Sequence, residues 1–137
     1  MTAVVIDSSI ALTWCFADEA TPATDALFAR VRDNGAEVPA LWHLELANVL
    51  LQAERRGRIR ADDAALRLEL IADLPISVDQ ETVARAWLEI LPIAREEGLT
   101  TYDATYLELA VRRRLPLLTK DNELARAAAR RGVDVLP

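Results

Sequence analysis

An α/β fold with a short, mainly parallel sheet is the class this sequence predicts, and three observations predict it. Brief apolar runs such as "VVI" and "PISV" alternate along the chain with longer stretches of helical periodicity. Glycine and proline occur as single punctuation marks between such stretches. No repeat, low-complexity segment or linker divides the 137 residues, so one domain over 1–137 is expected.

Taken in order, Val4 to Ile6 reads as a short buried strand, and Ser8 or Ser9 is suited to cap a helix running through "IALTWCFADE". Residues 23 to 34, after Pro22, read as a helix that ends at "DNG", and "AEVP" as a second strand. "LWHLELANVLLQAERRG" is a strong helix closed by Gly57, and residues 61 to 73 form another amphipathic one. "PISV" is the third strand, followed by a helix over 80–97 that Gly98 stops. "TTYDATYLELAVRRR" is a capped helix, "LPLLT" a strand, "DNELARAAARRG" a helix and "VDVL" a last strand. Strands separated by helices imply a parallel sheet covered on both faces.

Composition narrows the function classes. A hydrophobic content of 52% is ample for a packed core, and no apolar run approaches the roughly 18 residues that a membrane span requires. The N-terminus lacks the basic region and cleavage site of a signal peptide, so a cytoplasmic protein without membrane association is expected. Cys15 is the one cysteine, which excludes an internal disulfide, and its neighbours Trp14 and Phe16 predict a buried thiol. A net charge of −6 argues against coating nucleic acid by bulk attraction. Lys120 is the single lysine; the other basic residues are arginines, grouped as Arg55, Arg56, Arg58 and Arg60, as Arg112 to Arg114, and as Arg126, Arg130 and Arg131. Most are accounted for as solvated helix ends offsetting the macrodipole, and the remainder are available to a polyanion.

Ligands of parallel sheets bind beyond the carboxyl ends of the strands. Asp7 follows the first strand directly, Asp121 follows "LPLLTK", and Asp103 lies in the first turn of the helix entered from Thr100, so three carboxylates fall on one predicted rim. Each also has a purely structural reading. Asp103 fits a capping arrangement with Thr100, and Asp121 an N-cap shared with Asn122. Asp7 is less needed as a cap because Ser8 and Ser9 follow it. Glu45 belongs to a helix that reads as apolar nearly all round, where Glu45, Asn48 and Gln52 share a wedge of about 60°. That narrow stripe predicts a carboxylate aimed into a cleft, with an exposed surface stripe as the alternative.

Carboxylates that converge repel one another unless a cation lies among them. Oxygen donors favour Mg²⁺, with Mn²⁺ able to substitute, and one histidine with one cysteine is too few for a usual zinc site. Metals held this way suit in-line phosphoryl displacement, which points to phosphodiester hydrolysis. His43 alone cannot serve as both acid and base. A dehalogenase-type phosphatase wants a second aspartate where Ser9 stands, and a receiver domain wants a pair of acids after the first strand.

"VVIDSSIAL", "LELANVL", "GLTTYDATYLELA" and "LPLLTKDNELARAA" together resemble the PIN-domain family, most closely its VapC-type toxin ribonucleases. The resemblance implies a three-layer α/β/α sandwich, a homodimer, Mg²⁺-dependent endoribonuclease activity on RNA, and neutralisation by a VapB-type antitoxin. On this resemblance the catalytic set is Asp7, Glu45, Asp103 and Asp121. Asp7 and Asp103 match the principal metal-binding aspartates, Glu45 the acid of the third helix, and Asp121 the fourth acidic position, which Asn122 leaves uncertain by one residue. Thr119 matches the small hydroxyl residue near them. The alternative is a PIN fold without catalysis that regulates by holding RNA or a protein partner. Trp14, Trp42 and Trp87 are expected in the core, with a partner groove as their other possible place.

Overall fold

A computed structural model describes residues 2–137. Within these residues five short strands form one sheet: β1 (Val4–Ile6), β2 (Ala36–Val38), β3 (Ile76–Val78), β4 (Leu117–Leu118) and β5 (Val135–Leu136). Their order is β3-β2-β1-β4-β5, and every pairing is parallel. Among the described residues eight α-helices connect and cover them: α1 (Ser8–Thr13), α2 (Pro22–Asn34), α3 (Leu41–Arg55), α4 (Ala61–Ala72), α5 (Thr82–Arg85), α6 (Leu91–Glu97), α7 (Thr101–Arg113) and α8 (Asn122–Arg130). This is the expected α/β/α sandwich.

Local chemistry explains most boundaries. Thr21 and Thr24 cap α2 reciprocally, each side chain meeting the other's backbone N–H, and Pro22 supplies the first helical turn. Gly35 ends that helix at φ 85°, where a Cβ would lie 3.2 Å from the Pro75 carbonyl oxygen, so the turn into β2 requires glycine. The stretch expected as one helix over 80–97 is divided, because residues 86–90 widen into a π turn between α5 and α6. Likewise the helix expected through "IALTWCFADE" stops at Thr13, and only a 3₁₀ turn follows at Ala17–Glu19.

The core centres on β1, whose three residues are wholly buried, and on α7, which is buried continuously from Ala104 to Ala110. Cys15 is buried as expected, and desolvation pushes its thiol pKa up to about 11. Trp42 lies in the core, while Trp14 is partly buried, its indole N–H donating to the Thr24 carbonyl at 3.0 Å. Trp87 departs from the core expectation and is 84% exposed on the π turn. Helix α3 departs too: Leu44 is 75% exposed, so its apolar circumference reflects an uncovered face as well as a buried one.

Because α7 is buried nearly all round, its Glu108 needs a partner. Arg112 supplies one, donating from Nε at 2.7 Å, and its two terminal nitrogens reach both oxygens of Asp79 at 3.0 and 2.8 Å. Asp79 directly follows β3, so this fork ties the central helix to the edge of the sheet. The guanidinium holds the Asp79 carboxyl below its usual range. Other arginines of the clusters are likewise used within the chain: Arg58 pairs with Glu19 and covers Phe16, Arg113 pairs with Glu37, and Arg130 with Glu97.

Removing one partner of a buried ion pair strands the other. Arg112→Met is therefore expected to cost about 3 kcal/mol, read as a lower urea midpoint at unchanged slope. A loss below about 0.5 kcal/mol would place the fork with ordinary surface pairs.

Candidate active site

The strand order reverses beside β1. Chain progress runs outward from β1 through β2 to β3, then crosses back to β4 on the other side, which makes the β1/β4 crevice the topological switch point. Asp7 lies at the end of β1, and its backbone N–H donates to the Leu118 carbonyl on β4 at 3.2 Å. The preferred ligand position of the fold and the first-strand carboxylate thus coincide.

Asp7 is only 5% exposed, and both its oxygens are engaged. Oδ1 accepts the Ser9 hydroxyl at 2.6 Å and the Ile10 N–H at 3.3 Å, while Oδ2 accepts the Thr119 hydroxyl at 2.5 Å. Asp7 itself is the N-cap of α1, a role expected of Ser8 or Ser9. Ser9 instead links α1 to the segment after β4: its oxygen also accepts the Lys120 N–H at 2.9 Å, and Thr119 Oγ1 accepts the Asp121 N–H at 3.0 Å. Burial nevertheless raises the Asp7 carboxyl pKa above its ordinary value, outweighing these hydrogen bonds.

The other three acids come from helices. Asp121 caps α8, accepting the Leu124 N–H at 3.0 Å, so its structural reading holds at the same time as its place at the rim. Asp103 sits in the first turn of α7, where the Thr100 hydroxyl accepts its N–H at 3.1 Å. Its carboxyl pKa is raised by burial and by the charges of Asp121 and Asp7. Glu45 on α3 is half-buried and accepts the hydroxyl of Tyr106. Its pKa is raised by burial and by Asp103 and Asp7, while the Tyr106 hydrogen bond acts the other way. Of the expected polar stripe on α3, Asn48 and Gln52 are exposed, and Glu45 alone turns inward.

All four expected acids are therefore within electrostatic reach of at least one other, and the mutual charges raise Asp103 and Glu45. Among the described residues no three His, Cys, Asp or Glu groups already form a closed ligating cluster. The donor set still suits a hard divalent cation, since the four side chains are carboxylates and among the described residues no arginine pairs with any of them. Glu123, in the first turn of α8, also bears on Asp103, and it was not expected; its position two residues after Asp121 was the available signal. Tyr106 was not singled out, and Ser9 was read only as a helix cap, although each lies within three residues of an expected aspartate.

The PIN domain family matches residues 4–130 of this sequence. The chain belongs to the PIN-domain family. It is 35% identical over 81 residues to Ribonuclease VapC3 of Pyrobaculum aerophilum, covering 59% of this chain and 62% of that protein, which is under two thirds of the relative's length. It is 31% identical over 104 residues to Ribonuclease VapC3 of Mycobacterium tuberculosis, covering 74% of this chain and 72% of that protein. The crystal structure of PAE2754 from Pyrobaculum aerophilum has the same fold, with a TM-score of 0.69 at 25% identity, covering 98% of this chain and 90% of that one. Among the described residues no helix of this PIN domain is long and apolar enough to cross a membrane.

The raised acids set a pH dependence. A carboxyl with a pKa above its unfolded value binds more protons in the native state, so stability falls as pH rises through the window above the ordinary carboxylate range. The metal-free protein is expected to melt higher at pH 5 than at pH 7, and Asp103→Asn to flatten that slope and raise the pH 7 midpoint by roughly 3 °C. A midpoint that rises from pH 5 to pH 7 in the wild type contradicts the crowded-acid account.

Proposed function

We propose that the protein is a Mg²⁺-dependent endoribonuclease, the toxic component of a toxin–antitoxin pair, neutralised by a VapB-type antitoxin. The observation that carries this reading is the gathering of Asp7, Glu45, Asp103 and Asp121 at the switch point of a PIN-domain sheet. The ribonuclease names of the VapC3 relatives support it.

Asp7 and Asp103 hold the divalent ion in this reading, with Glu45 and Asp121 completing the acidic set. A bound Mg²⁺ or Mn²⁺ supplies a Lewis acid for the phosphoryl oxygens and lowers the pKa of water. The chain's own contribution is orientation. Ser9, Thr119 and the Ile10 N–H fix both oxygens of Asp7, which leaves that carboxylate one conformation. Tyr106 takes one oxygen of Glu45, and the other would serve to orient the attacking water. No histidine enters the scheme; His43 lies exposed on α3 beside Trp42. The antitoxin is expected to lay a segment over the acidic rim and offer it a cation, because a positive side chain relieves the same repulsion that an ion does.

Purified protein with Mn²⁺ is expected to cut total RNA into discrete fragments, and EDTA or Asp7→Asn to abolish cleavage. Equal cleavage by wild type and Asp7→Asn would place the activity elsewhere.

A homodimer is part of the same reading. Leu44 on α3, Val83 on α5, and Trp87 and Leu88 on the π turn are each at least 75% exposed, and Tyr102 is 64% exposed. Leu41, Val83, Trp87 and Tyr102 line one apolar groove, and a second copy of the chain would cover it. Sedimentation at micromolar concentration is expected to give a species of twice 15.2 kDa, and Trp87→Arg to shift it to the monomer. A wild type that sediments only as the monomer rules the dimer out.

A further inference from the structure

Tyr106 is 1% exposed, and its phenol hydroxyl donates to Glu45 Oε1 across 61 positions of sequence. It stands three positions after Asp103 on α7, so the two side chains lie on adjoining turns of one helix face. The ring is held by the core around β1, as part of the buried run from Ala104 to Ala110. Glu45, in contrast, stands on the half-exposed helix α3 with three side-chain torsions and two repelling carboxylates in front of it. Nothing in that repulsion keeps Glu45 at the rim; by itself it drives the carboxylate outward to water.

We infer that Tyr106 is a positioning residue, which locks Glu45 toward Asp7 and Asp103 by donating a hydrogen bond from the buried face of α7. The phenol is well suited to this. Burial and the adjacent carboxylates push its own pKa far up, so it stays a neutral donor wherever the protein is folded. It occupies one oxygen of Glu45 and leaves the other open. It also joins α3 to α7, so that Glu45 and Asp103 are presented as one unit rather than by two independent helices. The inference rests on reading the acidic rim as a divalent-cation site.

The test is a Mn²⁺ titration of the metal-free protein, counting free ion by electron paramagnetic resonance, with no RNA present. Tyr106→Phe retains the ring that packs in the core and removes only the donor; a thermal melt confirms its folding. The variant is expected to bind Mn²⁺ about tenfold more weakly than wild type, the usual effect of losing a partner behind a ligating carboxylate. In a Glu45→Gln background the same change is expected to have no further effect on Mn²⁺ binding. A merely structural role of the tyrosine would lower the melting midpoint and leave the two titrations unchanged, or weaken both equally; either result overturns the inference. Asp103→Asn serves as the reference. If it weakens Mn²⁺ binding while Tyr106→Phe does not, positioning by Tyr106 is wrong and the cation site stands. If Asp103→Asn has no effect either, the cation-site reading falls, and this inference with it.

Discussion

The buried carboxylate of Asp7 is the constraint around which the rest of the site is arranged. A charge 5% exposed at the end of a central strand is unfavourable, and the fold answers it with two donors from the first turn of α1 and one from the residue after β4. Those donors are not independent decorations. Ser9 and Thr119 each also accept a backbone N–H from the segment after β4, so orienting the carboxylate and closing the β1/β4 crevice are one network. Loss of either hydroxyl would leave both a carboxylate oxygen and a backbone donor short of a partner.

The sheet's order gives this network its location. Had β4 continued outward past β3, the ends of β1 and β4 would not adjoin, and Asp121 would stand strands away from Asp7. The crossover that returns the chain beside β1 is what converts a residue separation of over a hundred into direct neighbours. Helix α7 then threads the buried layer against β1, which brings Asp103 to the same edge. The Arg112 fork holds the far end of that helix to β3, so α7 is anchored at both ends.

Much of this was readable from the residues. The strands at Val4–Ile6 and Ile76–Val78 stood out because short apolar runs were bounded by turn residues, and α2 because Pro22 and Gly35 frame it. The four acids were legible by their places: Asp7 and Asp121 follow strands, Asp103 lies in a helix first turn at the same rim, and Glu45 is a charge on an otherwise apolar helix. What was not readable depended on partners remote in sequence. Helix α3 looked buried because its composition is apolar, but Leu44 and Leu51 face outward, and composition does not say which apolar face another element covers. Trp87 misled in the same way: with Val83 and Leu88 it lies on a stretch that is exposed on both sides of the start of the π turn. The capping role of Asp7 was hidden by two serines equally able to fill it; Ser9 is instead taken by Lys120, a bond that only the β1/β4 pairing reveals.

The acids also differ in how firmly they are held, and the difference follows from their scaffolds. Asp7 has a short side chain on a strand end, and its neighbours along the chain and across the sheet reach both oxygens. Asp121 is fixed by its own helix, through the N-cap bond to Leu124. Glu45 has a longer side chain on a helix with one uncovered face, so local structure offers it no donor, and its restraint comes across the core from α7. A strand end and a helix cap orient Asp7 and Asp121 with bonds that are local in the fold; Glu45, on the side of α3, is held instead by Tyr106 from another helix. Assembling acids from all three settings into one rim therefore requires a buried polar group whose partner is distant in sequence. That requirement explains a tyrosine in the most deeply buried helix of the chain, at a position where phenylalanine would satisfy the packing alone.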